Sequence, residues 1–246
     1  LYLENHDQPR SVSRFGDPSR YWYESATALA TAYFLQRGTP FIYQGQEIGM
    51  LGGDFTTEAD FRDVESVSYM ERLGIEKVPE GLAAMSRDNG RTPMQWDSSP
   101  AAGFSEAVPW IGVPASAEHI TVAAQADDPQ SILTYYRALI SARHVIPALT
   151  DGTFSRIDAS APALFVYRRS APGSDVLVMV NLSGQRHAPL FSPADEAVAS
   201  LPWHLYLGNT EASQTKTDKA GNHLGNEPTV TTPMEPWEAR VYLLAG

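Results

Sequence analysis

The spacing of the apolar residues changes near residue 150, and this change constrains the fold more than any other feature of the chain. Before it, apolar residues at i, i+3, i+4, i+7 and i+8 predict helices over 22–37 and 129–145. After it, apolar and polar residues alternate, as around Trp203 and in the segment 237–243, which is typical of strands. The pattern predicts an α/β part at 1–151 and an all-β part at 152–246.

The α/β part begins with a predicted short strand at residues 1–4, which ends in a polar cluster. The predicted helix at 22–37 follows, with Gly38 in the position of a C-cap, and a second short strand is predicted at 40–43. A strand, a helix and a strand in this order indicate a parallel α/β unit with polar residues at the C-terminal end of each strand.

The segment 48–127 is rich in Gly, Pro, Asp and Ser, with short helices predicted near 58–73 and 79–87. A connection of this length is usually functional, so we interpret it as an elaborated loop over an active site. The helix at 129–145 ends the α/β part, with Asp128 as the predicted N-cap and Pro129 in the first turn. The strands predicted beyond it, separated by turn-rich stretches such as 170–175, indicate a small antiparallel β-domain.

The composition excludes several classes of function. The 18 basic and 29 acidic residues give a formal charge of 18 − 29 = −11, which argues against nucleic acid or an anionic membrane as partner. The chain has no cysteine, which excludes disulfides and thiolate metal sites and fits a cytoplasmic protein. No apolar run approaches the ~20 residues that cross a bilayer. No phosphate loop, His–Glu metal motif or nucleophile elbow is present, so neither a cofactor nor a metal ion is expected.

Four polar residues could carry chemistry. His6 and Asp7 follow the first predicted strand, Glu47 follows the second, and Arg91 lies in the long loop. Glycoside hydrolysis uses catalytic groups of this kind: carboxylates that act as nucleophile and acid, and negative charge near an oxocarbenium-like transition state. A His beside an Asp also often only caps a turn, so the residues alone leave both interpretations open.

Three sequence blocks resemble motifs of the α-amylase superfamily, in the form found in its oligo-1,6-glucosidase and α-glucosidase branch. They are LENHDQPR at 3–10 with SRFG at 13–16, GTPFIYQGQEIGM at 38–50, and RDNGRTPMQW at 87–96. The resemblance covers essentially the whole chain. It implies the last part of a (β/α)8 TIM barrel, strands seven and eight with their helices, followed by a C-terminal antiparallel β-sandwich.

The resemblance also implies roles for the four residues. Asp7 would be the third catalytic carboxylate, which holds the sugar in the −1 subsite, and His6 would bond the same sugar. Arg91 would contact the glucose at the non-reducing end, and Glu47 would lie toward the +1 subsite. The nucleophile Asp and the acid/base Glu of the family lie on earlier barrel strands, which we expect before residue 1. We therefore expect residues 1–246 to be inactive without the N-terminal half of the barrel.

Other residues are expected to be structural. We expect Arg10 to form an ion pair, Gln95 and Trp96 to anchor the long loop, and Trp203 and Trp237 to be buried rather than to bind polysaccharide. Tyr43 could face either the core or the pocket.

The function implied by the resemblance is retaining, exo-acting hydrolysis of terminal α-linked glucose from short oligosaccharides or disaccharides. A sucrose isomerase or a transglycosylase of the same superfamily remains an alternative, as does a non-catalytic sugar-binding or ancillary subunit on the same scaffold. The preference for α-1,4 or α-1,6 linkages is left open, because the family sets it beside the nucleophile.

Overall fold

A computed structural model describes residues 1–74, 77–211, 213 and 227–244 of the chain. The α-helices are α1 Ser11–Phe15, α2 Trp22–Phe34, α3 Val64–Leu73, α4 Glu80–Met85, α5 Val122–Gln125, α6 Ile132–Val145, α7 Pro147–Thr150 and α8 Glu196–Ala199. Short 3-10 helices cover Gln46–Ile48, Glu58–Asp60, Arg87–Gly90, Pro100–Gly103 and Ala115–Glu118. The strands are β1 Thr153–Ile157, β2 Leu164–Ala171, β3 Ser174–Asn181, β4 Trp203–Gly208 and β5 Ala239–Leu244.

The chain divides into two compact units. One, called here the sheet unit, comprises Leu1, Ser19–Pro40 and the described part of Tyr135–Gly246. The other, called the loop unit, comprises Tyr2–Pro18 and the described part of Phe41–Thr134. Among the described residues, no helix is both long enough and apolar enough to span a membrane.

The sheet unit contains a five-stranded antiparallel sheet in the order β1-β2-β3-β5-β4. The predicted turn at 170–175 is a tight hairpin in which Ala171 pairs with Ser174 and Gly173 takes a positive φ of 71°. This conformation suits glycine because it has no Cβ. The alternation predicted a strand from residue 237, whereas β5 begins at Ala239 because Trp237 has a φ of 54°.

Strand β5 is buried on both faces from Ala239 to Tyr242, so the predicted polar face of the last strand is wrong. Glu238 and Arg240 are 0% and 1% exposed, and the Arg240 guanidinium donates two hydrogen bonds to the Glu238 carboxylate, at 2.9 and 2.6 Å. The charges can be buried because each neutralises the other and further polar groups complete their hydrogen bonds. Alternation in the sequence could not show this pairing, since it reads Glu and Arg only as polar.

Helix α2 packs within the sheet unit and is buried on every side from Ser25 to Phe34, not along one face as its apolar spacing predicted. Small polar side chains make this possible, since Thr31 bonds the hydroxyl of Tyr135 at 2.8 Å. The helix ends at Phe34, before the predicted C-cap Gly38. Arg143 donates to the carbonyls of Phe34, Gln36 and Gly38, which supplies partners for the open end of the helix.

The helix predicted at 129–145 begins later, at Ile132. Asp128 does not cap it, because its carboxylate accepts from the amide of Gln130 at 2.8 Å in a preceding turn. The hydroxyl of Ser131 accepts from the amide of Thr134 at 3.1 Å and takes the capping position.

The two short strands predicted at 1–4 and 40–43 are not strands in the structure. A strand is defined by a ladder of backbone hydrogen bonds to a neighbour. The amino group of Leu1 donates to the carbonyl of Thr39 at 2.7 Å, but residues 1–4 and 40–43 are not assigned to any strand. The antiparallel sheet of the last part is present, but the described residues of 152–246 form one sheet rather than two. One face is covered by loop residues such as Val230 and Met234, which pack on Val166 and Met179 where a second sheet would lie in a sandwich.

The loop unit has a small apolar core of its own. Phe55 and Phe61 stack with ring centroids 4.9 Å apart, and Met70 and Ile111 pack against them. The predicted helix at 58–73 is divided into the 3-10 helix Glu58–Asp60 and helix α3, and the helix at 79–87 is shorter, as α4. This core supports the segment Arg87–Gly90, which faces the residues around Asp7.

Candidate active site

The loop unit brings together three of the four residues predicted for the site. The carboxylate of Asp7 accepts a hydrogen bond from Nη2 of Arg91 at 2.7 Å and lies 3.2 Å from Nε2 of His6. Nε of Arg91 donates to the backbone carbonyl of His6 at 2.9 Å, so one guanidinium forms hydrogen bonds with both residues. The amide of Asp7 donates to the side chain of Asn5 at 2.8 Å, which closes the turn.

A second arginine, which the sequence interpretation missed, also approaches the carboxylate. Nη1 of Arg87 lies 3.8 Å from Asp7, on the same oxygen that Arg91 binds. The two arginines are four residues apart in the chain, at the start and just after the end of the 3-10 helix Arg87–Gly90. The spacing of four residues could have indicated that Arg87 acts together with Arg91, but only the fold shows that both side chains approach Asp7.

Buried carboxylates lie near both arginines, and one of them binds Arg87 directly. Asp63, 3% exposed, accepts from Nε and Nη2 of Arg87 at 3.0 and 2.5 Å. Burial opposes ionisation of Asp63, but hydrogen bonds from Arg87 and Ser66 outweigh it and hold its pKa below the ordinary value. Asp88 is fully buried, lies 3.9 Å from Arg91 and accepts from the amides of residues 62 and 63. The guanidinium of Arg87 is therefore held by Asp63, whereas that of Arg91 is held by Asp7 and the His6 carbonyl.

The turn that carries Asp7 is anchored by a buried ion pair. Glu4 and Arg10 have side chains 1% and 0% exposed and lie 3.3 Å apart, which confirms the structural role predicted for Arg10. Glu4 also accepts from the amide and the hydroxyl of Ser11, at 2.8 and 2.5 Å. Arg10 donates to the carbonyl of Gln44 at 2.5 Å, which ties the turn to the segment before Glu47.

A glycine allows the loop segment to approach this turn closely. A Cβ on Gly90 would lie 2.8 Å from the carbonyl oxygens of both Asn5 and Gln8, which is too close for any side chain. The hydroxyl of Tyr43 donates to the carbonyl of Gly90 at 2.8 Å, so Tyr43 braces the segment and its ring lies under Arg10. The close approach places Arg91 within reach of Asp7.

Glu47 lies in the 3-10 helix Gln46–Ile48, between two glycines with positive φ. Burial raises its pKa, although backbone hydrogen bonds and the charge of Arg10 act in the opposite direction. Its Oε2 has no hydrogen-bond partner among the described residues. The charges that act on it are those of Arg10 and Glu4, so the structure places Glu47 beside the anchoring pair, without a contact to Asp7 in the described part of the chain.

The remaining residues singled out in the sequence are mostly structural. Gln95 is fully buried and donates to Ser116 at 3.2 Å, in agreement with its expected role as an anchor, whereas the side chain of Trp96 is half-exposed. Trp237 is 7% exposed, and Trp203 packs on the sheet core and donates to a backbone carbonyl at 2.7 Å. Both tryptophans are therefore structural.

The carboxylate of Asp7 is both accessible to solvent and close to two guanidinium groups. The side chain of Asp7 is 46% exposed, so it is reachable from outside, while two guanidinium groups fix its position. An ionised carboxylate held in this way can accept hydrogen bonds from the hydroxyls of a neutral ligand and place negative charge beside a developing cation. Among residues 1–74, 77–211, 213 and 227–244, no cluster of three or more His, Asp or Glu side chains is placed to bind a metal ion.

The chain is similar to several known carbohydrate-active enzymes. An oligo-1,6-glucosidase of Parageobacillus thermoglucosidasius is 38% identical over 248 residues, covering 98% of this chain and 42% of the relative. The structure of a Bacillus licheniformis trehalose-6-phosphate hydrolase matches with a TM-score of 0.86 and 33% identity, over 100% of this chain and 43% of that one. An isomaltulose synthase of Erwinia rhapontici, solved with sucrose, matches with a TM-score of 0.79 and 32% identity, over the same shares of the two chains.

The chain thus spans about two fifths of the length of these relatives. The family described as the alpha amylase catalytic domain matches residues 1–152, which include the Asp7 turn, Glu47 and both arginines. Together with the identity over nearly the whole chain, this match shows that the chain belongs to the α-amylase family.

Proposed function

We propose that the enzyme carrying this chain is a retaining, exo-acting α-glucosidase that releases terminal α-linked glucose from short oligosaccharides or disaccharides. The observation that carries the proposal is the assembly of Asp7 with His6 and Arg91 through contacts of 3.2 and 2.7 Å. The oligo-1,6-glucosidase relative is consistent with it. In this proposal residues 1–151 are the end of a (β/α)8 barrel, 152–246 are a C-terminal β-domain built on one antiparallel sheet, and a cytoplasmic location stays a prediction.

The side chains would act on the glucose ring through charge and hydrogen bonds. Asp7 would accept bonds from ring hydroxyls, and its negative charge would stabilise the oxocarbenium-like transition state more than the ground state. His6 would donate to the same sugar. Arg91, held by Asp7 and the His6 carbonyl, would contact the non-reducing-end glucose and help to close that side of the pocket, which favours exo action.

The covalent steps would need two further carboxylates. A retaining mechanism uses one carboxylate as the nucleophile and a second as acid and then base. Asp7 is paired with guanidinium groups and so is suited to holding charge rather than to attacking carbon. Glu47, beside Arg10 and Glu4, would lie toward the leaving-group side. In this proposal the nucleophile and the acid/base would be supplied by other parts of the whole enzyme.

A second candidate is a sucrose isomerase or transglycosylase. The specific observation in its favour is the match to the isomaltulose synthase solved with sucrose, at a TM-score of 0.79. These reactions share the glucosyl-enzyme step and differ in whether water or a sugar hydroxyl takes the glucose. A non-catalytic subunit is less well supported, because Asp7, His6 and Arg91 are all present and in contact.

The test is product analysis with the whole enzyme that carries this chain. It is incubated with maltose, isomaltose, sucrose and trehalose 6-phosphate, and the products are followed by proton NMR from the first turnover. The proposal expects glucose released as the α-anomer from maltose or isomaltose. Isomaltulose or trehalulose from sucrose would favour the second candidate, and a lack of turnover on all four sugars would contradict both.

A further inference from the structure

The two oxygens of the Asp7 carboxylate have different neighbours. Oδ1 accepts from Nη2 of Arg91 at 2.7 Å and lies 3.8 Å from Nη1 of Arg87. Oδ2 lies 3.2 Å from Nε2 of His6, whose side chain is 70% exposed. Both guanidinium groups therefore lie at one oxygen, and the other oxygen lies on the side of His6, where a ligand hydroxyl can approach it.

Arg87 is held along one edge of its guanidinium. Asp63 accepts from Nε and Nη2 at 3.0 and 2.5 Å, so the planar group presents Nη1 toward Asp7. Asp63 is itself fixed, because its other oxygen accepts from the hydroxyl of Ser66 at 2.8 Å and because it is the N-cap of α3. The position of Nη1 is therefore determined by contacts within the loop unit and does not depend on a bound ligand.

The two arginines differ in what the proposed reaction asks of them. In the proposed function Arg91 also contacts the glucose, so its hydrogen bonds are divided between Asp7 and the substrate. Arg87 lies at the same oxygen of Asp7, and at 3.8 Å it acts through charge rather than through a hydrogen bond. Such an attraction tolerates small changes of geometry, so it can keep Oδ1 in place while Arg91 bonds the sugar.

We propose that Arg87 is a positioning residue, which keeps Oδ1 of Asp7 against the protein so that Oδ2 faces the sugar. The proposal rests on the proposed function, because Arg87 acts only through Asp7. Removal of Arg87 should reduce what Asp7 contributes at the transition state, and it should have little effect once Asp7 has lost its charge. A side chain that only stabilised the loop would instead act independently of Asp7.

The test is a double-mutant cycle in the whole enzyme, with 4-nitrophenyl α-glucoside as a sensitive substrate. Arg87→Met should lower kcat by roughly ten-fold to a hundred-fold with little change in KM, as expected when a catalytic group is misplaced. In the Asp7→Asn background the same substitution should change kcat by less than about two-fold. Arg168→Met is the matched control and should leave kcat unchanged in both backgrounds, because Arg168 is 27% exposed and pairs with Asp175 at 2.7 Å, within the β2–β3 hairpin.

A second variant covers the case in which Arg87→Met fails to fold because the buried Asp63 has lost its partner. Arg87→Lys keeps a positive charge for Asp63. A single ammonium group cannot replace the two-nitrogen contact with Asp63 and also lie beside Asp7, so kcat should still fall. Parental kcat in Arg87→Lys, or equal losses from Arg87→Met in both backgrounds, would overturn the proposal.

The same cycle separates this inference from the proposed function. If Asp7→Asn itself kept the parental kcat, the proposed function would fail and the positioning role with it. A large loss from Asp7→Asn, combined with parental kcat in the Arg87 variants, would refute the positioning role alone.

Discussion

Replacing Glu4 by Gln should destabilise the protein by about 3 kcal/mol, because it strands a buried positive charge. Glu4 and Arg10 are 1% and 0% exposed at the side chain, and their 3.3 Å contact anchors the turn that carries Asp7. Glutamine keeps the shape and can still accept from the amide of Ser11. Its amide nitrogen, however, would face the guanidinium. Both groups are hydrogen-bond donors, and the amide carries no charge to neutralise the arginine.

The magnitude follows from the environment of Arg10. Removing one partner of a buried ion pair generally costs about 3–5 kcal/mol. Arg10 would keep its bond to the carbonyl of Gln44 and its position over the ring of Tyr43, 5.3 Å from the centroid, so the lower end applies. For a chain of this size, about 3 kcal/mol corresponds to a fall in Tm of about 6–12 °C.

Thermal and urea unfolding, followed by circular dichroism, measure the loss. The matched control is Glu65→Gln, since Glu65 also lies near an arginine, at 3.7 Å from Arg87, but is 81% exposed. A pair of this kind contributes about 0–1 kcal/mol, so the control should lose little. If Glu4→Gln cost no more than Glu65→Gln, the buried pair would not be what holds the Asp7 turn.

Three further variants test other parts of the structure. Gly90→Ala should cost about 1–3 kcal/mol from crowding, because its Cβ would meet two backbone oxygens at 2.8 Å, whereas Gly112→Ala, with nothing within 4 Å, should be neutral in the same unfolding assay. The raised pKa of Glu47 means that its contribution to stability is complete below its ordinary value of 4.5 and is lost as the pH rises through the folded value. Glu47→Gln should therefore become more stable relative to the parent as the pH is raised above 4.5, and parallel stability profiles would refute the shift. Glu238→Gln should destabilise the sheet unit by about 3–5 kcal/mol, because it leaves a buried guanidinium without its partner, and a change below 1 kcal/mol would contradict this.

Local sequence patterns predicted the helices and strands that are determined by the spacing of apolar residues within the segment itself. The existence of α2 and α6 and the antiparallel character of the last part followed from spacing, and the family resemblance grouped Asp7 with His6 and Arg91. The limits of these elements were less predictable, because tertiary contacts decide them. Arg143, far along the chain, completes the end of α2, and the Ser131 hydroxyl caps α6 instead of Asp128.

Pairings between distant residues could not be predicted from the sequence. Arg87 approaches Asp7 only because Gly90 lets the loop lie against the turn and because Asp63 holds the guanidinium from behind. Glu238 looks like a surface residue in an alternating strand, yet it is buried with an arginine two positions away. Each outcome depends on which charges the fold brings together, and periodicity carries no information about that.

The most direct test of the account is Asp7→Asn in the whole enzyme. Asparagine can still accept from Arg91, and Asp7 is 46% exposed, so stability should change by no more than about 1 kcal/mol. The loss of negative charge beside the transition state should lower kcat by at least about a hundred-fold, with a small effect on KM. A variant with near-parental kcat on maltose or isomaltose would contradict the central claim that this carboxylate takes part in catalysis.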